Sequence, residues 1–415
     1  MTKPIILTSG DSHFFGFHDL SPWNPITNEV VCLKTSLPET KVPCYGDTAS
    51  VIIAHEDNPK ELVIGETLAW NWQKGARTRW MPAYGSRVVL FNSASKNGFE
   101  SQCIDLDSSE KQTFCTTLYD VYDSEQFGLT VDFVRLFQLS PGYGYELPNR
   151  KELFSYESDG IFFVDLAKNK VELLISISDF IKSQGIDTEL GDHYFTHINI
   201  SPNGSHFSFL HRCRLKSGGL INNLVVSDKF ANNIKIICSD KVSHYDWQSN
   251  DTIIVWCRNN SVVKNIKESN FTYIARALYR LSRKIRINFI RQNLYKESFR
   301  EINIHTGAKS EIGKNVLIED GHPQVNPIYS HVWVNDTYPN PEGYQTLMLY
   351  NQVSNRRLDL LSLKTQPTIQ ETIWRCDFHP RWHPEGKKIC FDSAHLGRRQ
   401  VCILDVESLL EEFIQ

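Results

Sequence analysis

A histidine followed four or five positions later by a proline recurs along this chain. It reads His18-DLS-Pro22, His197-INIS-Pro202, His322-PQVN-Pro327 and His379-PRWH-Pro384. A fifth copy, His244-YDW, keeps the histidine and runs into Gln248-SND in place of the proline turn. After each copy come a turn and a β-prone run. The last is the plainest: HPEGKK, then ICFDS, then AHLGRRQ, then VCILDV. Strand, glycine-bearing turn and strand make a β-hairpin. The segments around VVLFNS–QCIDLD, FSFLHR–NNLVVSD, VWVND–TLMLYN and LFSYESDGIFFVDL have the same shape.

Spacing turns this repeat into an architecture. His197 to His244 is 47 residues, His322 to His379 is 57, and His18 to His379 is 361, or six steps of about 60. Two less regular units fit between His18 and His197, one beginning near residues 69–80 and the other near 134–145. Seven units of this size predict an all-β, seven-bladed β-propeller occupying residues 1–415 as one domain. A residue just before each innermost strand points at the axis, so five imidazoles would gather at one channel mouth. The competing reading is that these histidines only cap strand–turn networks. Ring closure requires a partner for the free edge, and the short β-prone PIILTSG at the N-terminus is expected to complete the C-terminal blade.

One stretch breaks the spacing. His244 to His322 is 78 residues, and the excess falls at 265–300. Arg276, Arg280, Arg283 and Lys284 share one helical face there, while Ile274, Leu278 and Leu281 share another. The pattern predicts a basic amphipathic helical insertion, suited either to packing on the propeller side or to peripheral contact with an anionic inner membrane.

Composition narrows the rest. Aromatics are 12% and the formal net charge is −4. That balance leans towards β structure and against nucleic acid as a partner. The opening MTKPIILTSGDSHFF has no long apolar run and does not read as a signal peptide. The ten cysteines fall mostly inside apolar runs with no CxxC pair, as expected of reduced thiols in a cytoplasmic protein. Trp70, Trp72 and Trp80 read as core packing, and the GxG of SPGYGYE reads as a turn.

The segments HINISPNGSHFSFLHR (197–212), SHYDW (243–247), DGHPQVNP (320–327) and RCDFHPRWHPEGKKICFDSAHLGRRQ (375–400) resemble the oligogalacturonate lyase family within the PD40, or TolB-type, propellers. They also resemble relatives of that family found in bacterial surface-polysaccharide clusters. The resemblance runs over nearly the whole chain apart from 265–300. It implies a divalent metal, usually Mn²⁺, at the channel mouth. The family's last-blade pattern R-Q-x-x-H-x-H corresponds to Arg375-Cys376-Asp377-Phe378-His379-Pro380-Arg381. Cys376 replaces the Gln and Arg381 the second His, so the implied metal ligands here are His379 and, from an earlier blade, His322. His197, Asp377 or Asp320 are the side chains that can complete such a site. The implied general base is His244.

β-Elimination from a uronate needs a cation to neutralise the carboxylate and a base to take the adjacent proton. Arg375 and Arg381 bracket His379 and suit a carboxylate, and His244 is the base. His18, His197, Arg212 and Tyr245 are candidate substrate contacts, with Tyr245 a further base candidate. The reading is a lyase-like propeller acting on an acidic, uronate-containing oligosaccharide. Two alternatives stand beside it: a non-catalytic glycan- or protein-binding propeller, and a sugar-transferring enzyme of capsule or O-antigen biosynthesis.

Overall fold

The computed structural model describes residues 3–95, 98–148, 154–216, 218–239, 241–258, 297–366 and 373–414. Its strands form seven four-stranded antiparallel sheets, the blades of a seven-bladed β-propeller. Blades 1 to 6 span residues 12–67, 79–114, 120–176, 191–238, 242–312 and 324–364. Blade 7 combines 381–405 with the N-terminal strand Ile5–Ile6. Ile5 pairs with Ile403 and Ile6 with Cys402, so the chain start supplies the outer strand of the last blade. A β-pair across the termini leaves no gap through which the ring can open.

The repeat phrase has a fixed structural register. The amides of Asn24, Met81, Ser201, Gln248, Asn326 and His383 each donate to a carbonyl at the start of the second strand of their own blade. Four residues upstream of these amides stand Leu20, Arg77, His197, His244, His322 and His379. One residue upstream, blades 1, 2, 5 and 7 carry Trp23, Trp80, Trp247 and Trp382. Each of these indoles reaches back to the preceding blade: Trp80 Nε1 donates to Pro22 O (2.9 Å), Trp23 to Arg381 O (3.4 Å), Trp382 to Gln324 O (3.2 Å) and Trp247 to Asn199 O (3.1 Å). A large apolar ring seals each seam while its one polar atom is satisfied. Between blades 7 and 1 the seam is filled by Phe15, Trp23, Cys32 and Ile52 against Cys390, Val401 and Ile403. Burying each such side chain contributes about 1.5–3 kcal/mol.

The structure corrects the sequence reading in two places. Blade 3 starts at Asp120 rather than near 134–145. Its second and third strands, Phe127–Thr130 and Gly160–Asp165, are separated by an excursion containing the helix Phe133–Leu139. The carboxylate of Asp132 accepts from the amides of Val134 and Arg135 and starts that helix. The aromatic-rich run looked β-prone, but this cap decides it. Of the expected helical insertion at 265–300, residues 297–300 belong to the third strand of blade 5, Glu297–Asn303. Residues 265–296 lie outside the described residues.

Trp70, Trp72 and Trp80 are core residues, as expected. All ten cysteines are free. Eight are buried, and Cys44 and Cys115 are exposed. Among the described residues, no helix is long and apolar enough to cross a membrane.

Candidate functional site at the channel mouth

Phe17 stands at the centre of one end of the propeller, and the five histidines of the repeat surround it. Its ring centroid lies 4.3 Å from that of His18, 5.2 Å from His197, 6.2 Å from His244, 6.3 Å from His322 and 5.1 Å from His379. Four of the five occupy the same blade register, and His18 reaches the cluster from two residues before Leu20, its blade's counterpart. All five are buried. Burial, with the neighbouring cations and imidazoles, keeps His18, His197 and His322 well below the usual histidine range and His379 at about 3. These four are therefore neutral imidazoles near pH 7. Lys74 Nζ sits 3.3 Å from the Phe17 ring centroid, beneath the aromatic floor of the site, where burial opposes its charge.

Above this floor opens a polar cavity of about 560 Å³. His197, Arg212, His244, His322 and Arg375 line it. Asp320 and Asp377 line it too, whereas Tyr245, Arg381, His18 and His379 do not. Tyr245 is buried between blades and donates its hydroxyl to the carbonyl of His197. Arg381 lies two residues further along its inner strand, bonds the carbonyl of His18 and stands 3.9 Å from Asp246. Neither is placed to touch a ligand in the cavity: Tyr245 fixes His197, which lines it, and Arg381 fixes His18, which does not. His18 and His379 sit behind the wall.

The sequence reading missed several participants. Arg77 holds the blade-2 position that histidines hold elsewhere, and its guanidinium is paired with Asp19 at 2.7 Å. Arg77, His197 and His379 share a left-handed backbone, with φ of 55°, 57° and 45°. Such angles in non-glycine residues persist only where surroundings enforce them. Arg77 is followed five positions later by Pro82, so the repeat phrase with its histidine exchanged would have found it. Tyr338 and Asp336, at the end of a blade-6 strand, carried no such signal.

His322, Asp377 and His379 present ligand atoms within 4.8 Å of one another. Their outer contacts orient them as a metal site requires. His379 Nδ1 is 2.8 Å from the carbonyl of Gly16, which can only accept, so Nδ1 carries the proton. Its Nε2 is then a bare lone pair, buried and without a protein partner. His322 Nδ1 lies 2.8 Å from Asp336 Oδ1, a carboxylate–histidine pair of the kind that stands behind metal-ligating imidazoles. Burial and the nearby Asp377 raise Asp336 to about 7. Asp377 is opposed by burial, but Arg375 overrides it and holds the carboxyl below its usual range. Two imidazole nitrogens and a carboxylate fit a divalent cation.

On the adjoining wall, Arg375 grips Asp377 through two bonds of 2.6 and 2.8 Å, so much of its charge is already answered. Arg212 differs. It stacks 5.5 Å from the Tyr143 ring, its Nε is buried without a hydrogen-bond partner, and no carboxylate among the described residues pairs with it. His244 stands between these groups. Its Nδ1 is 3.4 Å from Asp320 Oδ1 and 3.1 Å from Ser243 Oγ, and the Tyr338 hydroxyl is 3.2 Å from each of its ring nitrogens. Burial opposes ionisation of Asp320, but the contact with His244 holds its carboxyl below the usual range. With a carboxylate behind Nδ1, the other nitrogen, which faces the Tyr338 hydroxyl, is the one placed to act as a base.

No protein-family model and no curated protein matches the sequence. Solved structures do match the fold. An oligogalacturonate lyase from Vibrio parahaemolyticus superposes with a TM-score of 0.60 at 11% identity, covering 98% of this chain and 97% of that one. An oligogalacturonate lyase in complex with manganese gives 0.59 at 11%, with 97% of each chain covered. At such identities the likeness is one of fold: this chain shares with those lyases the seven-bladed propeller.

Proposed function

We propose that this protein is a lyase that cleaves an acidic, uronate-containing oligosaccharide by β-elimination in the cavity at the channel mouth. The observation that carries the reading is the pairing within one cavity of an unanswered guanidinium, Arg212, with an imidazole, His244, that is backed by a carboxylate. Arg212 binds the sugar carboxylate, with Arg375 assisting through the side of its fork not turned to Asp377. Neutralising that carboxylate acidifies the proton on the adjacent carbon, and His244 removes it. His322, His379 and Asp377 would hold a divalent cation, Mn²⁺ being the candidate. When bound, it adds Lewis-acid polarisation of the same carboxylate. The name of the manganese-bearing structural neighbour supports this reading at the level of fold.

A place in surface-polysaccharide assembly at an inner membrane rests on the basic stretch at 265–300, of which 265–296 lie outside the described residues.

The test is to incubate the protein, with and without Mn²⁺, with oligosaccharides of each common uronate and follow absorbance of the unsaturated product. Turnover that falls at least about tenfold in kcat/KM on Arg212→Ala, the size of a lost charge-assisted hydrogen bond, supports the reading. Tight binding with no turnover of any isomer by the wild type would reassign the cavity to a non-catalytic glycan binder.

A further inference from the structure

The lyase reading leaves the leaving group unassisted, and the structure supplies what is missing. Elimination from a 4-linked uronate breaks the C5–H bond, forms the C4=C5 double bond and expels the oxygen on C4. An expelled sugar oxygen needs a proton. Tyr338 lines the cavity and its hydroxyl is 3.2 Å from both ring nitrogens of His244, within proton-transfer reach. It is held there. Its ring stacks on the Arg375 guanidinium at 4.2 Å, and Arg375 is locked on Asp377.

We infer that His244 and Tyr338 form a one-sided proton relay, and that the site therefore takes uronates whose C5–H and C4–O bonds are cis. The inference rests on the lyase reading and names its substrate class. The step balances without any other reactant. His244 takes the C5 proton, the C–H electron pair becomes the double bond, and the C4–O pair leaves with oxygen. Tyr338 gives its proton to that oxygen, and the imidazolium returns a proton to the phenolate across the 3.2 Å contact. Base and acid in mutual contact address the same face of the sugar ring. Hydrogen and oxygen leave one face together only where they are cis, as in gluco- and manno-configured uronates. In galacto-, gulo- and ido-configured uronates they are trans, and an acid would be needed on the opposite face. The candidate for that role is Tyr143, which stands with His197 (5.1 Å between ring centroids) and Arg212 rather than with His244.

The experiment offers the full-length protein, supplied with Mn²⁺, 4-linked oligoglucuronate, oligomannuronate and oligogalacturonate, with Tyr338→Phe and Tyr143→Phe as variants. A fourth substrate carries 4-nitrophenoxide on C4 of glucuronate, a group that departs without a proton. The cis isomers are expected to be preferred. Tyr338→Phe should lose about 10²–10⁴-fold in kcat on the oligosaccharides, the usual contribution of a general acid, and recover on the nitrophenyl substrate. A merely structural tyrosine would show no such rescue. Preference for oligogalacturonate, with Tyr143→Phe rather than Tyr338→Phe losing activity, would overturn the relay while leaving the lyase reading intact. No turnover of any isomer by the wild type would overturn both.

Discussion

Tyr245 was a candidate base in the sequence, and the structure gives it a different task. Its hydroxyl donates to the carbonyl of His197, while the amide of His197 donates to the Tyr119 hydroxyl at 2.7 Å. Two tyrosines thus clamp the backbone of His197 from both sides, a histidine held in the left-handed region with φ of 57°. That conformation costs roughly 1–2 kcal/mol in a residue with a Cβ, so the clamp must outweigh it. Tyr245→Phe keeps the ring, which is buried at 3% exposure, and removes a donor from the buried His197 carbonyl. The expected loss is about 1–3 kcal/mol of stability. Equilibrium urea unfolding, read beside a binding titration with an acidic oligosaccharide, measures it. Stability within about 0.5 kcal/mol of wild type, the range of an ordinary surface change, combined with lost binding or turnover would refute the argument. Tyr245 would then reach the ligand.

Other outcomes follow from the same geometry. Asp336→Asn removes the carboxylate behind His322 and should weaken Mn²⁺ binding about 10–100-fold, read by paramagnetic resonance titration. An unchanged affinity would place the cation elsewhere. Burial disfavours the charge of Asp19, but Arg77 and Lys74 prevail and hold it at about 2 against an ordinary 3.8. A carboxyl depressed in the folded state contributes stability above its unfolded pKa and loses it as pH falls. About 2 kcal/mol should therefore disappear between roughly pH 4 and pH 2. Acid titration of the unfolding midpoint checks it, and Asp19→Asn should flatten that limb. Trp382→Phe deletes the indole bond to Gln324 O across the blade 6–7 seam and should cost at least about 1 kcal/mol in urea unfolding, whereas a neutral result would leave the seam to apolar packing alone.

The blade count was legible because each copy of the phrase leads into the second strand of its blade, and strand pairing forces a near-constant repeat length. The histidine cluster was legible for the same reason: residues at one register of a ring converge on its axis. Orientation within the register was not. His244 and Tyr245 are adjacent, yet strand alternation sends one into the cavity and the other between blades. Likewise His379 and Arg381 both look like site residues, but Arg381 is spent on the carbonyl of His18. Partners such as Gly16, Phe17, Asp336 and Tyr338 stand outside the repeated phrase and have no sequence periodicity. Only the folded ring brings them to His322, His379 and His244.

The chemistry itself is tested most directly by the fate of solvent oxygen. Cleavage of an acidic oligosaccharide by the Mn²⁺-supplied protein in heavy-oxygen water distinguishes elimination from hydrolysis by product mass. Elimination yields an unsaturated fragment and a saturated one, neither carrying solvent oxygen, and His244→Ala should abolish both. Incorporation of one heavy oxygen into a product, or intact substrate in the presence of demonstrated binding, would contradict the assignment of His244 as the base of a lyase.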